Sequence, residues 1–102
     1  MKEIVIGLPE LTDEQIAELV QIGEEAARKY VLSRIPAKKV YDLDISVDVE
    51  GDGRLIITID VGLRLSSSAK IDPDSLAREA AEKAMKAMEN KLRELALASR
   101  KA

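Results

Sequence analysis

The chain has 102 residues, of which 46% are apolar, 34% charged and 2% aromatic, and it contains no Cys, His, Trp or Phe. Those absences exclude disulfide scaffolds, Cys- or His-ligated metal centres, and every Cys or His nucleophile or base. A net charge of −3 lacks the basic excess that drives unspecific phosphate binding, which disfavours an autonomous nucleic-acid binder.

In chain order, the first apolar run is Glu3 to Leu8, with Ile4, Ile6 and Leu8 on one parity and β-branched residues at 4, 5 and 6, which predicts a first strand. Thr12 and Gln15 then have the spacing of a capping box, flanked by Leu11 and Ile16 as a hydrophobic staple. Ile16, Leu19, Val20, Gly23, Ala27, Tyr30 and Val31 recur at helical spacing, predicting a first helix over 13–34 that Pro36 stops. Gly23 lies within that apolar stripe at a cost of about 1 kcal/mol relative to Ala, which calls for close approach of another backbone.

Leu43, Ile45, Val47 and Val49 alternate with Asp42, Asp44, Ser46, Asp48 and Glu50. After Gly51, Asp52 and Gly53, the residues Leu55, Ile57, Ile59, Val61, Leu63 and Leu65 alternate in the same way. The pattern predicts a hairpin over about 40–66, with one apolar and one polar face. If Glu50 pairs with Arg54 across the turn, Asp44 faces Asp60 and Ser46 faces Thr58, and the like-charged pair is a small cost on the solvated side. At roughly 3.3 Å per residue the second strand of the hairpin is about 36 Å long, and edges of that length are usually covered or paired.

Ser66 to Ala69 make a flexible joint. Asp72 as N-cap and Pro73 in the first helical position then open a last helix over 73–98, with Glu79 and Lys83, Glu82 and Lys86, and Glu89 and Arg93 spaced as favourable pairs. Its apolar residues, from Leu76 through Met85 and Met88 to Leu95 and Ala96, spread over about 200°, twice the stripe that packing on a sheet needs. An intermolecular helical interface follows as an expectation, formed by Ile22, Leu32, Met85, Met88, Leu92 and Leu95.

The order β-α-β-β-α gives a single α+β domain over 1–102. Its two layers are a three-stranded antiparallel or mixed sheet of order 1-3-2 and two helices on one face. No stretch approaches the ~20 apolar residues of a membrane span, and the N-terminus lacks a signal-like apolar core, so a cytoplasmic protein is expected. Ile, Val, Leu, Lys and Glu dominate while Asn and Gln are scarce, a balance reported for hyperthermophile proteins.

Few residues offer chemistry. Gly51 to Gly53 lead into a strand, whereas a phosphate loop would need a helix N-terminus there. The carboxylates of Asp42, Asp44, Asp48 and Asp60 are the right type for a hard divalent cation but splay along a flat strand surface, so a solvated face or a docking surface for a basic partner fits better. Ser66 to Ser68 have no His to activate them, and a carboxylate enzyme built on Asp44 and Asp60 is a remote reading. Lys38 and Lys39 read as solubilising loop lysines. The other candidate RNA contacts are Lys91, Arg93, Arg100 and Lys101, late in the chain where basic residues also complement a helix dipole. The expectation is a chain that is not an enzyme, with no catalytic residues, cofactor or metal of its own.

The run from Ile6 to Leu11, the helix start Thr12 to Gln15, the Leu43 to Leu65 hairpin and the amphipathic helix from Asp72 to Leu95 together resemble an archaeal family of small uncharacterised proteins. That family's fold is similar to the Pcc-type dimerisation subunit of the KEOPS complex, which installs threonylcarbamoyl on adenosine in ANN-decoding tRNAs. The resemblance implies a non-catalytic accessory subunit that forms a homodimer, or a heterodimer with a paralogue, through its sheet. It also implies that the helices are offered to the KEOPS catalytic subunit, that tRNA is met only indirectly or weakly, and that no membrane is involved. The alternative expectation is a small standalone RNA-binding α+β module.

Overall fold

A computed structural model describes residues 2–6, 11–51 and 55–100, the backbone alone at 2–6, 51 and 96–100. The elements are strand β1 (Lys2–Ile6), helix α1 (Asp13–Arg34), a 3-10 turn (Ala37–Lys39), strand β2 (Val40–Gly51), strand β3 (Leu55–Leu65), a second 3-10 turn (Ser67–Ala69) and helix α2 (Pro73–Arg100). The expected residues Gly7 to Glu10, Asp52 to Arg54 and Lys101 lie outside the described residues.

Local chemistry sets the helix ends. The Gln15 amide donates to Thr12 Oγ1 at 3.1 Å, while the Thr12 amide donates to Gln15 Oε1 at 2.9 Å, so each residue satisfies a group the helix start leaves open. At the other end of α1, Ile35 turns to extended backbone after its amide reaches the Val31 carbonyl. Asp72 caps α2, accepting from the Asp74 amide at 3.3 Å and from the Ser75 hydroxyl at 2.8 Å. The Ser75 hydrogen bond holds the Asp72 carboxyl below the usual value. The serine joint is ordered: Ser66 accepts from the Ser68 amide at 3.2 Å, and Lys70 leaves the turn in the left-handed region at φ 57°.

The sheet has three strands, and the expectation of an antiparallel or mixed arrangement is corrected to antiparallel pairing throughout the described residues. For most of its length the sheet is a two-stranded antiparallel ribbon of β2 and β3. β1 accompanies only the five residues Leu55–Ile59, also antiparallel, giving the order β1-β3-β2 with no parallel pair. The expected register is also corrected. Asp44 pairs with Gly62, Ser46 with Asp60 and Glu50 with Ile56, two residues away from a pairing of Asp44 with Asp60. Alternation fixes which face each residue occupies but is blind to a slip of two, because such a slip keeps both faces intact. The observed register sets Asp42 opposite Arg64 and removes the directly opposed carboxylates, and cross-strand charge pairing favours it on both counts.

The two helices run antiparallel to each other, since Glu18 of α1 meets Lys91 of α2 and Tyr30 and Arg34 of α1 meet Glu79 of α2. Helix α1 lies against β2 and α2 against β3. The core comprises Leu19, Ala27 and Val31 of α1 with its C-cap Ile35, Leu55, Ile57 and Ile59 of β3, and Leu76, Ala80, Ala81, Ala84, Met85, Met88 and Leu92 of α2. Strand β2 supplies none of these fully buried residues. The molecule is elongated, 52 × 21 × 18 Å, with a radius of gyration of 15.1 Å against about 13 Å for a compact chain of this length. Among the described residues no helix is long and apolar enough to cross a membrane.

Gly23 is a point of close approach between the helices. A Cβ there would lie 2.6 Å from Met88 Sδ and 3.4 Å from Val47 Cγ2. The approach comes from side chains of α2 and β2, which corrects the expectation of a neighbouring backbone.

Candidate functional site

Strand β2 is an edge, bonded to β3 on one side only. From Asp42 to Glu50 its residues fall into two rows. Leu43, Ile45, Val47 and Val49 face the helices and are half-buried, although Ile59 and Ile57, paired with Val47 and Val49, are fully buried. Asp42, Asp44, Ser46, Asp48 and Glu50 point to the uncovered side of the sheet and are exposed. On that same side β3 adds exposed Asp60 and Arg64 with Gly62 between them. Five carboxylates therefore share one described surface with a single cation, Arg64. Among the described residues no group of three acidic side chains is arranged to hold a metal ion.

The start of β2 carries a feature the sequence did not reveal. The register shifts between Val40 and Asp42, leaving Tyr41 as the extra residue of a bulge. Strict alternation backward from Leu43 would put Tyr41 on the apolar face; the bulge hands that face to Val40 and leaves Tyr41 63% exposed.

The expected helical interface divides. Met85, Met88 and Leu92 are at most 5% exposed and belong to the chain's own core, so the expectation that they meet a partner is corrected. The wide apolar arc of α2 is filled on one side by α1 and on the other by β3. Ile22 and Leu95 are half-buried, and Leu32 is 45% exposed beside a shallow open depression lined by Glu25, Arg28, Lys29 and Ser33. All of those lining residues come from one face of α1, which leaves the depression without a second wall.

The candidate RNA contacts are also rearranged. Lys91 Nζ lies 3.1 Å from Glu18 and 3.7 Å from Glu94, and the Glu18 hydrogen bond raises its pKa. Its ammonium therefore braces α2 against α1, and it is not a free cation for phosphate. Arg93 is exposed, whereas the Arg100 side chain and Lys101 lie outside the described residues.

A second brace joins the opposite ends of the helices. Tyr30 donates its hydroxyl to Glu79 Oε2 at 2.5 Å, and Arg34 Nη1 donates to the Tyr30 oxygen at 2.8 Å and to Glu79 at 3.2 Å. Arg34 and Lys83 sit 5.8 and 5.7 Å from the centre of the tyrosine ring, within cation–π range. The hydrogen bond to Glu79 raises the Tyr30 pKa above the ordinary tyrosine value. The sequence pattern instead assigned Glu79 to Lys83 on its own helix.

Comparison with known proteins follows the same architecture. Residues 8–91 match the model of a family described as "Protein of unknown function (DUF3194)". An uncharacterised protein of Thermococcus kodakarensis is 36% identical over 91 residues, 89% of this chain and 84% of that one. One from Natronomonas pharaonis is 37% identical over 79 residues, covering 76% and 89%. A crystal structure from Thermococcus onnurineus superposes with a TM-score of 0.76 at 35% identity, covering 93% of this chain and 92% of that one. The solution structure of a hypothetical protein from Methanothermobacter thermautotrophicus gives 0.73 at 28% identity, covering 86% and 96%. None of these relatives carries a named activity or partner. The chain belongs to the DUF3194 family of uncharacterised archaeal proteins.

Proposed function

We propose that this chain is a non-catalytic accessory subunit that acts by binding other proteins, and that the assembly it serves is the KEOPS tRNA threonylcarbamoyladenosine complex. The observation that carries the protein-binding reading is the edge strand β2, a twelve-residue strand whose apolar row is half-covered while its opposite row is acidic at every position from Asp42 to Glu50 except Ser46. A long edge of this kind is a ready template for pairing with another chain. The KEOPS assignment rests on the resemblance of the hairpin and the two helices to the Pcc-type subunit, which also implies a homodimer or a heterodimer with a paralogue in the cytoplasm. The standalone RNA-binding alternative loses its best described cation, since Lys91 is held by Glu18 and Glu94. Affinity purification of the tagged chain from a native extract is expected to retrieve KEOPS subunits. A strictly monomeric chain that retrieves none of them would sink the reading.

A further inference from the structure

Three features of β2 bear on what covers its edge. Between Asp42 and Glu50, no backbone hydrogen bond from outside the sheet reaches the strand among the described residues, which leaves its outward amides and carbonyls available to another strand. The row Leu43, Ile45, Val47 and Val49 is only half-buried, so an added strand with apolar residues at alternate positions would extend the core sideways. The opposite row, Asp42, Asp44, Asp48 and Glu50, is exposed and acidic, with Asp60 beside it.

That acidic row decides between a second copy and a different chain. Two copies pairing antiparallel about Ser46 would set Asp44 against Asp48 and Asp42 against Glu50. Moving the axis to Ile45 opposes Asp42 and Asp48, moving it to Val47 opposes Asp44 and Glu50, and centring it on Asp44 or Asp48 sets that residue against itself. Every such register puts at least one carboxylate directly opposite another, and like charges directly opposite are destabilising. The edge is guarded against its own copy while remaining open to a strand of opposite charge. The other edge strand, β1, has five residues against twelve in β2, and the bulge at Tyr41 ends regular pairing on one side.

We infer that the Asp42–Glu50 edge of β2 binds an extended basic segment of a different protein by strand addition, with Lys or Arg at alternate positions over the acidic row and aliphatic residues between them. The inference rests on the protein-binding reading and names the partner's chemistry. On binding, main-chain hydrogen bonds supply the pairing and the alternating charges fix its register.

The test uses the full chain and a fluorescent nine-residue peptide alternating Lys with Val or Ile, with Glu in place of Lys as the control. The expected result is binding of the Lys peptide alone. Amide shifts and hydrogen-exchange protection would concentrate on 42–50, and affinity would fall with added salt. The D44N/D48N double variant, which keeps side-chain size and tests charge alone, is expected to weaken binding about tenfold while its circular dichroism and melting curve stay those of the parent. Equal binding of both peptides, perturbations confined to the helices, or a concentration-dependent dimer of the isolated chain protected at 42–50 would overturn it. Retrieval of KEOPS subunits undiminished by D44N/D48N would overturn this inference and leave the functional reading standing, whereas peptide binding at β2 without such retrieval would do the reverse.

Discussion

Strands β2 and β3 have nearly the same length and the same alternation, yet Leu55, Ile57 and Ile59 of β3 are buried while none of the described side chains of β2 is. The two strands differ in their neighbours. β3 is central, flanked by β1 and β2 and covered by α2, whereas β2 is an edge lying mainly against α1. An alternating pattern states which side chains want cover, and the fold decides which of them receive it.

The strongest way to break this contrast is to truncate one residue in each strand. Ile57→Ala should cost about 3–4 kcal/mol in denaturant unfolding, since it opens a cavity in a filled core. Ile45→Ala, on the half-covered row, should cost about 1 kcal/mol. Equal losses would mean that the edge is as well packed as the centre.

Gly23→Ala is next. It improves helix propensity by about 1 kcal/mol, but the new methyl overlaps Met88 Sδ, and Met88 is fully buried. A net loss of about 1–2 kcal/mol is expected from overpacking, with partial recovery on the background of Met88→Ala. Thr12→Ala removes one half of the capping box and should cost about 1 kcal/mol.

The smallest expected effects are those of pH on the helix braces. The folded pKa values of Tyr30 and Lys91 lie above their ordinary values of 10.0 and 10.5. Their contribution is therefore complete below those values and is lost as pH rises through the folded ones. Asp72 lies below its ordinary 3.8, so its contribution is present above that value and is lost as pH falls through the folded pKa. Melting temperature should be flat near neutrality and decline above about pH 10. In Tyr30→Phe the alkaline decline should be shallower.

What the sequence disclosed tracks how local each signal is. The Thr12–Gln15 box, the Pro36 stop and the Asp72–Pro73 start depend on residues within a few positions of one another, and the helices begin at the two starts and α1 ends just before the stop. The hairpin register was not legible because parity cannot detect a two-residue slip, and charge pairing at Asp42 and Arg64 enters only once strands are placed side by side. The exposure of Tyr41 is not legible in the pattern because its bulge interrupts the alternation at its first step. Apolar periodicity marked Met85, Met88 and Leu92 as needing cover but could not say that α1 and β3 supply it. The acidic row of the candidate site was visible in the alternation, whereas its position on an open edge depends on strand order.

The contact at Gly23 also turns Met88 into a chemical clock. Its sulfur is sealed from solvent and wedged against a helix backbone, and a sulfoxide oxygen there would have no room and no polar partner. Peroxide can reach that sulfur only through an opened form, so the rate of Met88 oxidation measures the fraction of chains in which the two helices are parted. Once oxidised, the side chain hinders reclosure, and the chain carries the added mass of one oxygen.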